Sequence, residues 1–351
     1  MMRTTFILIL GSALVLAPGI LCGQNTPAPA AQHLEITGSH RLRITYDCSF
    51  VWPGGGGYDA VFYLPIPQDT GAQRIENFSS NLKGQVQTDG ETPPHRLLTA
   101  TLHHDRGDDR AIHWRIEVIG TFRTRRLVGG PPPAGDPIVP PGPGEYLGST
   151  ESIDWKDDHF QSWLDSSGLR RRPAETPVAY GARVYAYFRE NGSYSYPPAT
   201  AWIASAACHG LETDCGGFSL VFTAACRANK IPARLLVGQW FKTRELSDGT
   251  LEMTGRQAHV IAEFFDPQIG WIPEDISSTL LKIPGPPNLD YFGRDPGYFF
   301  AWHVDTDFHF DVPRKSDAHV QWIQNPSFWF TENADAACDT LSHHWTLEAL
   351  R

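Results

Sequence analysis

The stretch TDCGGFS, residues 213–219, sets Cys215 between an acid and two glycines, and an apolar run follows at once. That run predicts a helix whose first turn holds Cys215. Unpaired N–H groups and the positive end of the helix dipole favour an anion there, so this placement lowers a thiol's pKa and favours the nucleophilic thiolate. Gly216 and Gly217 leave room for a substrate backbone and let the first turn bend tightly. They are the oxyanion and substrate-positioning candidates, and the Cys215 N–H is a further oxyanion donor. A thiol nucleophile needs a base, and the base needs an orienting acceptor. His259 in AHVIAEFF and Asp275 in GWIPEDIS have the right chemistry. Two antiparallel strands joined by a turn at DPQIG would bring positions 259 and 275 together, so that Asp275 could fix the His259 tautomer. Asp275 has two rivals. Glu274 falls on the opposite face of its strand, and Asp266-Pro267 reads as the turn. Such a trio would attack a carboxamide or peptide carbonyl through Cys215, pass through a thioester, and release the acyl group to water or an amine. It needs no metal and no organic cofactor.

Taken singly, each residue has an ordinary reading: a disulfide half or buried thiol, a strand histidine, a surface acid. Their linkage carries the case. Of six cysteines, Cys22 lies in the amino-terminal apolar segment, which leaves Cys48, Cys208, Cys215, Cys226 and Cys338. An odd number in an exported chain leaves one reactive or intermolecular thiol. Cys226 reads as core or as a partner of Cys208, and Cys48 and Cys338 could form a second bridge. There is no C-x-x-C and no Cys/His cluster at zinc spacing, so no metal site is expected. HVDTDFHFD, with alternating Asp305, Asp307, His309 and Asp311, reads as the polar face of an edge strand, because calcium loops need turns that gather ligands.

The elements that must position these residues come in two groups. From His33 to about Val128 the pattern alternates. Leu42, Ile44, Tyr46 and Cys48 share one face, as do Ile112, Trp114, Ile116 and Val118, which predicts half-buried strands of a β-sandwich. The Pro/Gly-rich stretch 129–150 has no regular structure of its own and reads as a linker. Beyond it, DDHFQSWLDSSG predicts a short helix closed at Gly168. TPVAYGARVYAYFRENG predicts a second, capped by Thr176 with Pro177 in its first turn. The helix from Cys215 ends near Asn229, and strands follow at IPARLLVGQWF and AHVIAEFF. The second domain, 151–351, is therefore α+β, preceded by an all-β sandwich-like domain at 33–128.

DCGGFSLVFTAACRANKIPARLLVGQW, then AHVIAEFF, then GWIPEDIS, resembles the transglutaminase-like superfamily of papain-type thiol enzymes. In that family a Cys opens a helix, G-I-P-A-R enters the next strand, a His follows on a strand, and an Asp comes after W-x-P. Cys215, His259 and Asp275 match its triad, and Ile231-Pro232-Ala233-Arg234 matches the strand entry, with Lys230 where Gly is usual. The resemblance runs from about Thr176 to Ser277, and flanking segments are similar to those of bacterial members. The chain departs at Ile261, where Trp is usual, and at Ile276-Ser277, where Pro-Thr is usual. The resemblance implies a thiol-dependent hydrolase or acyltransferase acting on a peptide or protein substrate, with hydrolysis favoured. The competing class is a non-catalytic binding or scaffold protein of the cell envelope built on the same fold.

The ends and the charge bound the setting. Arg3, the apolar run Phe6–Ala17 and the small-residue exit through Gly19 to Gly23 fit a cleaved secretory signal over 1–23, followed by a flexible spacer over 24–32. A spanning helix needs about 20 apolar residues, more than this run holds. Cys22 admits a lipid anchor, but Leu21 and Gly19 stand where a small residue and Leu are usual, so a cleaved leader is favoured. Net charge −10 without long single-sign runs argues against nucleic acid or an anionic membrane as main partner. An exported chain, periplasmic or extracellular and without stable membrane insertion, is expected.

Overall fold

The computed structural model of the 351-residue chain describes residues 31–50, 58–89, 95–105, 111–132, 138–142, 144–245, 247, 251–281, 291–331 and 342–350. The expected leader, most of the spacer, and Cys338 lie outside the described residues. The amino-terminal stretch forms strands β1 (Gln32–Phe50), β2 (Tyr58–Pro65), β3 (Gln73–Ser80), β4 (Gln85–Thr88), β5 (Arg96–His104) and β6 (Ile112–Gly129). Helices α1 (Asp158–Ser166) and α2 (Pro177–Asn191) follow, then β7 (Ser193–Tyr194), α3 (Ala204–Ala207) and β8 (Glu212–Thr213). Next come α4 (Cys215–Ala228), β9 (Ala233–Glu245), β10 (Leu251–Asp266), β11 (Gly270–Glu274) and α5 (Ile276–Leu280). The chain closes with β12 (Arg294–Asp295), β13 (Phe299–Val304), β14 (Phe308–Val312), β15 (Lys315–Val320), β16 (Ser327–Phe330) and β17 (Ser342–Ala349).

The alternating residues face inward as period two requires. Leu42, Ile44, Tyr46 and Cys48 of β1 and Trp114, Ile116 and Val118 of β6 are buried in one core. One sheet runs β12-β6-β1-β17 with β3 also on β6; the second runs β16-β2-β5-β4. Three strands of these sheets, β12, β16 and β17, therefore come from the carboxy-terminal part of the chain. β17 pairs β1, with Tyr46 opposite Trp345, and β16 pairs β2, with Phe62 opposite Phe328. Phe300 and Trp302 of β13 enter the same core. Residues 33–128 thus share their core with the carboxy-terminal strands, and Ala31–Arg351 forms one compact unit.

The third sheet, β11-β10-β9-β13, is the platform of the site. On one face Leu235, Val237, Val260, Ala262, Phe264 and Ile272 pack against the helices. On the other, Leu236, Ile261, Phe299 and Ala301 pack with Tyr146. Helix α4 is apolar on every side, which predicts burial all round. Phe218, Leu220, Val221 and Phe222 are fully covered, each burial worth about 1.5–3 kcal/mol. Helix α2 begins where Thr176 Oγ1 accepts the Ala179 N–H at 3.2 Å, as its sequence predicts. The described part of 129–150 carries no helix, and its only strand residue is Gly129 at the end of β6. It is nonetheless docked: Tyr146 O accepts the Ala233 N–H, and Arg227 Nη1 donates to Gly148 O at 3.0 Å.

A buried ionic chain ties the first sheet to the third. Arg125 of β6 donates to Glu263 of β10 at 2.8 Å and to Asp295 of β12 at 3.3 Å. Arg234 of β9 donates to the other Glu263 oxygen at 2.7 Å. Desolvation works against charge at Glu263, but the two guanidiniums outweigh it and hold its carboxyl below the usual range. Arg234, read from the sequence as part of a strand entry, is a partner in this network.

Candidate active site

Cys215 is the first residue of α4, and Asp214 is its N-cap. The Asp214 Oδ1 accepts the Gly217 N–H at 3.1 Å and the Trp202 Nε1–H at 2.9 Å. The cap fixes the entry angle of the helix, and the buried helix fixes the sulfur. Both glycines are needed for close approach. A Cβ on Gly216 would lie 2.7 Å from Trp322 Cη2, and one on Gly217 would lie 1.9 Å from Thr213 Oγ1. Their roles separate here. The Gly217 N–H is committed to Asp214, so Gly217 packs rather than donates to an oxyanion. Gly216 sits at the floor of the groove, and among the described residues no hydrogen bond engages its N–H or that of Cys215.

His259 lies on β10 and is fully buried. Its Nε2 meets Asp275 Oδ2 at 2.8 Å. Strands β10 and β11 are antiparallel, with Asp266 opposite Gly270 and Ala262 opposite Glu274. That register alone would carry position 275 past Ile261, not His259. The chain instead turns off the sheet at Asp275, which becomes the N-cap of α5, and its side chain reaches back to the imidazole. The carboxylate is then surrounded by donors. Oδ1 accepts Ser277 Oγ at 2.8 Å and the Ser278 N–H at 3.0 Å, and Oδ2 also accepts Ser278 Oγ at 2.5 Å. Burial would raise the Asp275 pKa, but His259, Ser278 and Ser277 outweigh it and lower it.

The same balance governs the ring. Burial disfavours the imidazolium, but the Asp275 carboxylate and the Cys215 thiol prevail and raise the His259 pKa to about 10. With Nε2 occupied by Asp275, Nδ1 is left for the thiol. It is buried and makes no hydrogen bond of standard geometry among the described residues, yet Cys215 lies near enough to act on the ring's charge. The ring also packs on Trp240, centroids 5.5 Å apart. The rival acids are placed otherwise. Glu274 faces away from His259; its Oε1 accepts the Ile276 N–H at 2.8 Å, and burial pushes its pKa well up. Asp266 accepts the Gln268 N–H at 2.9 Å in the turn.

Cys215 opens onto a groove of about 450 Å³, lined among others by Tyr194, Trp202, Gly216, Gln257 and Trp322. Trp202 and Trp322 approach with centroids 5.4 Å apart. The sequence reading named Gly216 but missed Tyr194, Trp202, Gln257 and Trp322 and the two serines on Asp275. Gln257 shares a strand face with His259, and D-I-S-S is an N-cap pattern, so both left a signal. Trp322 left none, because it arrives from beyond β15.

Cys208 and Cys226 do not bridge in the structure; both carry free thiols. Cys208 Sγ donates to Ser205 O at 3.2 Å. Burial pushes the Cys208 thiol up to about 12 and Cys226 well above its ordinary value, so both are inert core thiols. An odd cysteine count therefore does not single out Cys215; its helix end, its groove and its histidine do. HVDTDFHFD is not one edge strand as expected: Asp305 and Asp307 sit at positive φ in the turn between β13 and β14, and Asp307 is buried. Asp305 pairs with Arg227 at 2.5 Å, and Asp307 accepts Ser152 Oγ at 2.5 Å and His319 Nε2 at 2.7 Å. Among the described residues no three His, Cys, Asp or Glu side chains gather as a metal site.

Residues 169–276 match the model of the transglutaminase-like superfamily. No curated protein matches the chain. Among solved structures the chain is similar to a candidate cysteine protease from Cytophaga hutchinsonii, at 11% identity and TM-score 0.50, over 92% of this chain and 93% of that one. That likeness is one of fold. A slighter one, at 13% identity and TM-score 0.33, is to the periplasmic domain of TgpA from Pseudomonas aeruginosa, over 69% of this chain and 89% of that one.

Proposed function

Because residues 169–276 form a transglutaminase-like domain, we propose that the chain is a thiol-dependent amide or peptide-bond hydrolase acting through Cys215, His259 and Asp275. The observation that supports it most is the buried His259 ring, held at 2.8 Å by an ionised Asp275 and open to Cys215 on its other nitrogen. In the proposed cycle the Cys215 sulfur adds to the carbonyl carbon, and the carbonyl electrons move to oxygen. The Cys215 N–H at the helix start donates to that oxyanion. Collapse re-forms the carbonyl and breaks the C–N bond, while the imidazolium gives its proton to the leaving amine. Neutral His259 then takes a proton from water as its oxygen attacks the thioester, and returns it to sulfur. Asp275 holds the ring orientation throughout. Hydrolysis is favoured over transfer to an amine on the resemblance to bacterial members of the superfamily.

The substrate is a peptide or protein whose acyl side lies in the aromatic groove. The leader pattern at 1–23 supports export to the periplasm or beyond, and no helix among the described residues is long and apolar enough to cross a membrane. A fluorogenic peptide library with hydroxylamine as acyl trap tests the activity. Wild-type protein is expected to cleave a subset and form hydroxamates, and Cys215→Ala to do neither. Equal, zero turnover by both, with an unreactive thiol, would leave the scaffold reading.

A further inference from the structure

The oxyanion formed on attack by Cys215 needs more than one donor, and the helix start supplies few. The Gly217 N–H is bound to Asp214 Oδ1, and so is the Trp202 Nε1–H. Trp322 turns the carbon edge of its six-membered ring to Gly216. Tyr194 remains. Its short strand β7 pairs in parallel with β8, which puts Tyr194 opposite Thr213, two residues before the nucleophile. The Ser193 N–H donates to Leu211 O and the Ser195 N–H to Thr213 O, so both flanks of the tyrosine are tied down. The phenol lines the groove beside Cys215, and among the described residues no hydrogen bond engages its hydroxyl. We propose that the Tyr194 hydroxyl is the side-chain donor to the oxyanion on the carbonyl that Cys215 attacks.

Burial, then the nearby Cys215, Asp214 and Asp275, push the Tyr194 pKa up, so the group stays a protonated donor throughout the neutral range. As the C–S bond forms, the carbonyl π electrons become the oxyanion lone pair, and Tyr194 O–H donates to it without giving up its proton. When the C=O bond re-forms, the hydrogen bond weakens and the leaving group departs. This role rests on the hydrolase reading above.

Two reagents separate the oxyanion from the thiol. Acylation by p-nitrophenyl acetate passes through a tetrahedral oxyanion; alkylation by iodoacetamide is a direct displacement and forms none. In Tyr194→Phe, Cys215 acylation is expected to fall by roughly 10²-fold, the size of losing one oxyanion donor, while the alkylation rate stays at the wild-type value. Gln257→Leu, which removes a rival side-chain donor lining the groove, should leave the ratio of the two rates unchanged. An unchanged ratio in Tyr194→Phe overturns the assignment, as does a parallel loss of both rates or a selective loss in Gln257→Leu alone. If wild-type Cys215 reacts with neither reagent, the hydrolase reading itself fails and the tyrosine's role with it.

Discussion

At the scale of single residues, Asp275 keeps its charge in a buried place because His259 Nε2, Ser277 Oγ, the Ser278 N–H and Ser278 Oγ all converge on it. Ser277, in the dipeptide that departs from the usual Pro-Thr, supplies one of these donors and Ser278 two. Removing the carboxylate removes the main influence that raises the His259 pKa. Asp275→Asn is therefore expected to lower kcat by about 10²- to 10⁴-fold, the range for losing positioned acid–base help. The pH dependence follows in sign. In wild type the imidazolium persists until pH passes about 10, so activity falls on an alkaline limb there. In Asp275→Asn that limb moves to lower pH. The linked stability has the same direction: a raised His259 pKa stabilises the fold fully below the unfolded value of about 6.5 and is lost as pH rises through the folded one. A limb that stays put in the variant would show that another group titrates.

At the scale of elements, the first turn of α4 is packed to contact. Gly217 faces Thr213 so closely that an added Cβ would sit 1.9 Å from Oγ1 and 2.8 Å from Cβ. Both residues are buried and held by backbone pairing, so neither can give way easily. Gly217→Ala should destabilise by about 1–3 kcal/mol, the usual cost of overpacking, read as a lower urea midpoint. Thr213→Ala removes the atom most in conflict, so the double variant should recover part of the loss. Additive losses would place the strain elsewhere. This tightness bears on the glycine pair: the sequence reading gave both to substrate approach and to a tight first turn, and Gly217 serves the packing of the turn.

At the scale of the whole molecule, the amino-terminal sheets are closed by strands from the other end of the chain, and β13 shares their core. The sheet that carries His259 and the sheets that carry no site residue are therefore joined by packing as well as by Arg125. Trp345, 2% exposed on β17 against Tyr46 and Trp302, is far along the chain from the nucleophile. Trp345→Ala should cost about 3–5 kcal/mol. It should also lower the unfolding midpoint equally when followed by tryptophan fluorescence and by Cys215 alkylation, as one cooperative unit requires. Separate midpoints would show that the sandwich and the catalytic sheet unfold independently.

The sequence by itself determined what depends on near neighbours. The period-two faces of β1 and β6, the Thr176 cap, the helix opening at Cys215 and the candidate acids around Asp275 are set by local sterics and by hydrogen bonds within a few residues. The candidate triad and the family resemblance followed from linear order. Only the tertiary structure decided what depends on distant segments meeting. The sandwich is completed by β16 and β17, Glu263 joins Arg125 to Arg234, and Trp322 closes on Gly216. Cys208 and Cys226, which the sequence left open as a pair, stay unbridged. His259 and Asp275 lie at the boundary of the two. Their strands were legible, but the contact between them arises because the chain leaves the sheet at Asp275 to start a helix, and a strand pattern does not encode that turn.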